Sequence, residues 1–361
     1  MKKAAFWLIL LGFAFLLTLI VGEVGLRLFD QVKGVTAPYT HNLPECLAVP
    51  NGYFNYDLEP NTSVVYDSKN PRSFTINQWG FRAPDYNPQK PKGVKRIFTV
   101  GGSSTFDPYV GDKGTWTQLL GTKLNEATED SVECINAGRY GYTTSEIFGL
   151  VYHRILRHQP DLIVLYTTFN DSRKVISPFY GSDEYPQLYG NPLLAKLNKS
   201  SALFAFLDYR LRHVWKVKPY ISLLPSHAYR KEPPQAHDEF LKDEKKVLVY
   251  NLNQFERNIS SIIDLCRKEE VEVLLCTQLI EPSLAYSSPF SNKLMAEMTD
   301  KLREIALNDS IAILDMDSIG TPINEEQGLL QTYVHFTPEG CKFMSERLNE
   351  TILNSGILND H

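Results

Sequence analysis

Cysteine is scarce in this sequence, with five residues in a chain of 361. Cys46, Cys134, Cys266, Cys276 and Cys341 are scattered. That is too few for a disulfide scaffold, and the spacing is not that of a zinc site. An excess of positive charge is also missing. The 37 Lys and Arg residues stand against 42 Asp and Glu, for a net charge of −5, so nucleic acid finds no electrostatic footprint. Internal repeats and strong low-complexity tracts are lacking. Beyond the amino terminus no apolar run approaches spanning length, so at most one membrane crossing is expected. The 43% hydrophobic, 22% charged composition is that of an ordinary globular chain.

What is present starts at the amino terminus. Lys2 and Lys3 precede an uncharged stretch of 19 residues, Ala4 to Gly22. As a helix it is about 28 Å long, close to the ~30 Å of bilayer hydrocarbon. The positive end stays in the cytoplasm and sends the rest of the chain outward. Leu19, Ile20 and Val21 run into Gly22, Glu23 and Val24 with no A-x-A-like cleavage site. Residues 1–29 are therefore expected to be an uncleaved single-pass anchor of the cytoplasmic membrane rather than a removed signal peptide. The remainder is expected on the extracytoplasmic face.

Residues 30–94 are rich in aromatics, Pro and Asn, with no long helical period. They read as short strands and turns packed beside a main domain. From Lys95 the pattern changes. Five apolar runs read as buried parallel strands: 96–100, 132–136, 162–166, 271–277 and 311–315. Helical spacings lie between them, as in Ile147, Leu150, Val151 and Ile155. The last helix starts near Thr337, with Pro338 in its first turn. This alternation predicts a three-layer α/β/α sandwich around a parallel sheet of about five strands. Residues 172–249 interrupt the alternation and read as a cap inserted at the ligand edge of the sheet.

Four stretches carry chemistry. The first strand runs into Gly101-Gly102-Ser103-Ser104-Thr105. A glycine pair there suits a phosphate-cradling loop, a nucleophilic serine beside oxyanion-binding amides, or a plain helix cap. The Lys of a phosphate loop is missing. The second strand ends in Asn136-Ala137-Gly138-Arg139-Tyr140-Gly141-Tyr142-Thr143, and the third in Thr168-Phe169-Asn170-Asp171. Val334-His335-Phe336-Thr337-Pro338-Glu339-Gly340 precedes the last helix. Each alone is an ordinary loop. Parallel strands share one carboxyl edge, so the four can meet there. Together they supply a hydroxyl, a glycine amide, a side-chain amide and an imidazole, the inventory for acyl transfer. Asp171 reads as a turn residue, Asp107 as a helix-start residue, and Cys134 and Cys276 as core packing. Arg82 suits a hairpin or surface role better than an anionic substrate.

In this order and setting, Ser103, Gly141, Asn170 and His335 resemble the SGNH (GDSL-like) hydrolases over about residues 95–355. The Gly22–Arg27 exit and the Asn77–Arg82 stretch are similar to membrane-anchored bacterial members. The resemblance implies a flavodoxin-like SGNH hydrolase fold. It implies Ser103 as nucleophile and His335 as base. The amides of Ser103 and Gly141 and the side chain of Asn170 would form the oxyanion hole. No metal or organic cofactor is implied. The expected activity is serine-dependent cleavage of acyl esters, first of all O-acetyl esters of envelope glycans, or else lipid esters. Transfer to another acceptor, or a catalytically degraded glycan-binding protein, are the alternatives.

The sequence departs from the family at three positions. Gly102 stands for the usual Asp after the first glycine, and Thr168 for a Gly. Thr332 stands where the family places Asp, three residues before His335. Three outcomes follow from the last change. Thr332 or a backbone carbonyl orients a Ser–His dyad; another acid substitutes, with Asp315, Asp317, Glu325 and Glu326 nearest in sequence; or the site is degraded.

Overall fold

The computed structural model describes residues 2–33, 48–50, 56–66, 72–182, 197, 200–211, 233–281 and 288–359. Within the expected cap at 172–249, residues 183–196, 198–199 and 212–232 lie outside the described residues. The chain divides into two compact units. One holds residues 1–47, 63–73 and 188–229; the other holds 48–62, 74–187 and 230–361.

In the first unit, α1 (Lys2–Lys33) is a single long helix. Its Phe6–Phe29 stretch has a mean hydropathy of 2.3 and is long and apolar enough to cross a membrane. Its apolar side chains are exposed, as those of a helix packed into a protein core are not.

The second unit is built on a five-stranded sheet. Its strands are β5 (Val94–Gly101), β6 (Ser131–Asn136), β7 (Leu162–Tyr166), β8 (Glu272–Cys276) and β9 (Ala312–Leu314), in the order β6-β5-β7-β8-β9. All four pairings are parallel. The five apolar runs are these strands, with ends shifted by a residue or two. Every residue of β7 is buried, because helices cover both sheet faces.

One face carries Ile97, Leu162, Val164 and Leu274. It packs with Trp116, Leu120 and Leu124 of α3 (Trp116–Ala127) and Met344, Leu348 and Ile352 of α11 (Pro338–Ser355). The alternating residues Phe98, Ile163, Leu165 and Leu275 point to the other face. There α4 (Thr144–Leu150) contacts β5, while α8 (Glu244–Lys268), which follows the short α7 (Gln235–Phe240), and α9 (Pro289–Asn308) contact β8.

In parallel sheets of this kind ligands generally bind at the carboxyl ends of the strands. β5 lies between β6 and β7, and the chain goes first to β6 on one side and then to β7 on the other. Loops leaving the carboxyl ends of β5 and β7 diverge at this switch point, the place where open parallel sheets generally form a crevice. Ser103 follows β5 and Asn170 follows β7.

Shorter strands precede the sheet: β1 (Ala48–Pro50), β2 (Tyr56–Leu58), β3 (Thr62–Tyr66) and β4 (Arg72–Ile76). β1 and β2 pair antiparallel.

Candidate active site

Ser103 opens the short helix α2 (Ser103–Phe106) directly after Gly102. Its Oγ lies 2.8 Å from His335 Nε2. His335 sits on the turn between Leu330 and Phe336, which bridge each other. Gln331 N donates to His335 O at 2.8 Å and closes that turn. Tyr333 and Val334 pack on Met295, and Tyr333 Oη donates to Asn292 Oδ1, so the turn is tied to α9. Thr337 caps α11 by accepting from Gly340 N, and Pro338 starts the helix as the sequence predicts. Tyr109 covers the imidazole with ring centroids 5.4 Å apart. This shelter desolvates the ring, and burial pushes the His335 pKa down to about 4.

The other ring nitrogen, Nδ1, lies 2.6 Å from Thr332 Oγ1. If Nδ1–H donates to Thr332, then Nε2 accepts from the Ser103 hydroxyl, the tautomer a base requires. None of the four carboxylates near in sequence hydrogen-bonds the ring. Asp315 and Asp317 both accept from Arg303, and Asp315 also caps α10 (Met316–Gln327). Glu325 and Glu326 are exposed on α10.

Asn170 lies in the first turn of α5 (Phe169–Arg173). Its Nδ2 donates to Tyr142 O at 2.8 Å, which fixes the plane of the amide and leaves its second N–H available. A Cβ on Gly102 would lie only 2.4 Å from that Nδ2. The glycine that replaces the family's Asp therefore leaves room for the Asn170 amide to approach the nucleophile loop. Gly141 turns the β6 loop at φ +68°, a conformation glycine takes without steric cost. Lys174 donates to Gly141 O. Burial lowers the Lys174 pKa and raises that of Asp171 to about 6. Asp171 is no local turn residue: it accepts from Thr144 N and Oγ1 across 27 residues and ties α5 to α4.

Three supports escape a motif reading. Gln278, just past β8, donates to Ser104 Oγ at 2.8 Å and accepts from Phe169 N at 2.9 Å. It joins the nucleophile loop to the Asn170 loop. Its place beyond a strand's carboxyl end was the available signal. Arg139 is fully buried; it donates to Asp57 Oδ1 at 2.8 Å and to Gly80 O at 2.7 Å. Tyr56 Oη donates to Tyr140 O at 2.9 Å, so residues before the sheet brace the Gly141 loop.

Arg82 corrects the surface and substrate readings given to it. It is 2% exposed, so it is neither a surface residue nor open to a substrate. Its guanidinium donates to Phe106 O, Asp107 O and Val110 O and pairs with Asp112. Asp107 does not start a helix. It ends α2 in the left-handed region at φ 60° and accepts from Trp116 N at 3.0 Å. Cys134 and Cys276 are buried, and burial pushes both thiols up.

An ester carbonyl set against Ser103 Oγ would meet a hydroxyl in contact with a neutral imidazole, with Asn170 alongside. The GDSL-like Lipase/Acylhydrolase family model matches residues 98–343, which spans β5 to α11. The chain belongs to this family. GDSL-like acylhydrolases are enzymes, and the five-stranded parallel sheet flanked by helices is the framework of this one. Among solved structures, it is similar to the acetyl xylan esterase AlAXEase, at 16% identity over 71% of this chain and 99% of that one, with a TM-score of 0.45. The lipase/acylhydrolase from Enterococcus faecalis aligns at 14% identity, 72% and 96% coverage and a TM-score of 0.44. The acetylxylan esterase Axe2 from Geobacillus stearothermophilus gives 12%, 72% and 94%, and 0.43. No curated protein matches the chain in sequence.

Proposed function

We propose that the chain is a serine-dependent esterase working through an acyl-enzyme. Ser103 Oγ attacks the ester carbonyl while its proton passes to His335 Nε2. The amides of Ser103 and Gly141 and the side chain of Asn170 hold the oxyanion. Collapse of the intermediate expels the alcohol, which takes the proton from the imidazole. Water then attacks the acyl carbonyl, gives a proton to His335, and Ser103 regains one as the acid leaves. These side chains serve every step without a metal or organic cofactor.

The observation that carries the reading is the 2.8 Å contact between Ser103 and His335, residues 232 apart in sequence. A degraded site has no reason to keep that contact, with the imidazole held on its far side by Thr332. The chain works as a Ser–His dyad with a hydroxyl in place of the carboxylate. The hydroxyl sets the tautomer but adds no negative charge beside the imidazolium.

The substrate class follows from α1. Lys2 and Lys3 keep the amino end inside and put the site at the outer face of the membrane. The esters within reach there belong to envelope glycans and lipids. O-acetyl groups on glycans are the first expectation.

The test is labelling of the full chain by a fluorophosphonate probe, beside Ser103→Ala. Labelling lost in the variant supports the reading. Absence of labelling in the folded parent overturns it and favours a glycan-binding role. Acyl release from an O-acetylated glycan, with and without added alcohol acceptors, then separates hydrolysis from transfer, which share the acyl-enzyme.

A further inference from the structure

α6 (Ala202–Tyr209) lies within the insertion and belongs to the same compact unit as α1. Its sequence, ALFAFLDY, carries a single charge, and Ser201 caps it by accepting from Phe204 N. Eight residues of helix reach about 12 Å, less than half the bilayer hydrocarbon. It is too short to span a membrane and unusually apolar for a helix bathed in water.

It packs on α1 at the end of the uncharged run Ala4–Gly22. The Leu203 methyls lie 3.4 Å from where a Cβ on Gly22 would stand. Glu23, the next residue, accepts from Ser201 Oγ at 2.8 Å, Ala202 N at 3.1 Å and Leu203 N at 2.9 Å. Arg27 donates to the same carboxylate at 2.6 Å and to Ser200 O at 2.7 Å. A carboxylate at the margin of a bilayer is costly unless it is satisfied, and so are the first N–H groups of a helix. Here each satisfies the other. The apolar side chains of both helices stay outside: Val24, Leu28, Phe29 and Leu207 are exposed. Arg210 stacks its guanidinium 5.1 Å over Phe206, an amphipathic pairing suited to the headgroup level.

We propose that α6 is a membrane-interface helix, pinned to α1 by Glu23, whose partner is the lipid surface. The inference rests on reading α1 as membrane-spanning. It makes the insertion a second point of attachment to the bilayer, continuous with the first.

The test uses the full chain with Cys46→Ser, since the other four cysteines are buried. A nitroxide is placed at Leu207→Cys, at Phe13→Cys within the span, or at the exposed Leu307→Cys of α9. The protein is reconstituted in phosphatidylethanolamine–phosphatidylglycerol vesicles. Collision with oxygen reports lipid; collision with a nickel chelate reports water. The expected result is oxygen-dominated relaxation at Phe13 and Leu207 and nickel-dominated relaxation at Leu307. Adding Glu23→Ala should turn Leu207 nickel-dominated and leave Phe13 unchanged. A water-exposed Leu207 beside a lipid-buried Phe13 overturns the proposal and spares the anchor. A water-exposed Phe13 overturns the anchor, and the proposal with it. A Leu207 that keeps its lipid signature after Glu23→Ala overturns the pinning.

Discussion

Thr332 Oγ1 lies 2.6 Å from His335 Nδ1, at the position where a carboxylate would complete a triad. A hydroxyl can accept from Nδ1–H and hold the ring, but it cannot neutralise an imidazolium. Losing the acid from a complete triad costs about 10⁴ in rate, largely through the wrong tautomer. Thr332 keeps the tautomer, so much of that cost is avoided. Thr332→Val should lower kcat by about tenfold, the value of one hydrogen bond of ~1.5 kcal/mol. Thr332→Asp should raise kcat and move the acidic limb of the pH profile upward. Steady-state kinetics on a chromogenic acetyl ester across pH check both variants.

That same imidazole sets the pH response. Burial holds its pKa at about 4, below the ordinary value of 6.5. The base is therefore unprotonated at neutral pH, and kcat/KM should fall only as the pH drops toward 4. The sign for stability follows from proton binding. Between pH 6.5 and 4 the unfolded chain binds this proton and the folded chain does not, so acid erodes the His335 contribution across that window. Asp171 acts oppositely. Its pKa is raised to about 6 from 3.8, so its contribution is present below pH 3.8 and lost as the pH rises through 6. Asp171→Asn should steepen the acid loss of stability between pH 4 and 6, measured by thermal unfolding at fixed pH.

Much of this was legible in the sequence, and the limits have physical causes. The sheet was readable because strands covered on both faces must be apolar throughout, as in Leu162–Tyr166. Asp171 was misread because its partner, Thr144, is 27 residues away and no local pattern carries that contact. Gln278 was missed because a polar residue past a strand's carboxyl end is a weak signal until Ser104 and Phe169 are beside it. Arg82 was misread because charge predicts exposure. Only the fold reveals the three carbonyls that justify burying a guanidinium.

Gly102 and Asn170 form a steric pair. Gly102→Ala would bring a Cβ to 2.4 Å from Asn170 Nδ2 and push the amide off the oxyanion position. Loss of one oxyanion donor costs about 10² to 10³ in kcat. Both Gly102→Ala and Asn170→Ala should show that loss with little change in KM. The double variant should be no worse than Asn170→Ala alone, since the clash has then lost its target. A double-mutant cycle on kcat checks the pairing.

Arg82 separates a brace from a binding residue. Its guanidinium lies over both the Phe74 and Phe106 rings, with Cζ 4.4 and 4.8 Å from their centroids. Arg82→Met would leave Phe106 O, Asp107 O and Val110 O without that donor and Asp112 without its cation. The Asp112 side chain is 29% exposed, so the cost comes mainly from the carbonyls, at about 1–3 kcal/mol for each buried group left without its partner. In a unit of this size that lowers Tm by roughly 10 °C. Arg82→Lys keeps the charge but loses the fork that reaches three carbonyls at once, so it should recover only part of the loss. KM for a neutral ester and KM for an anionic one should move together in both variants. A rise confined to the anionic ester would mean that Arg82 meets the substrate. The brace predicts instead a common fall in kcat, because the loop that Arg82 holds begins four residues after Ser103, at Asp107.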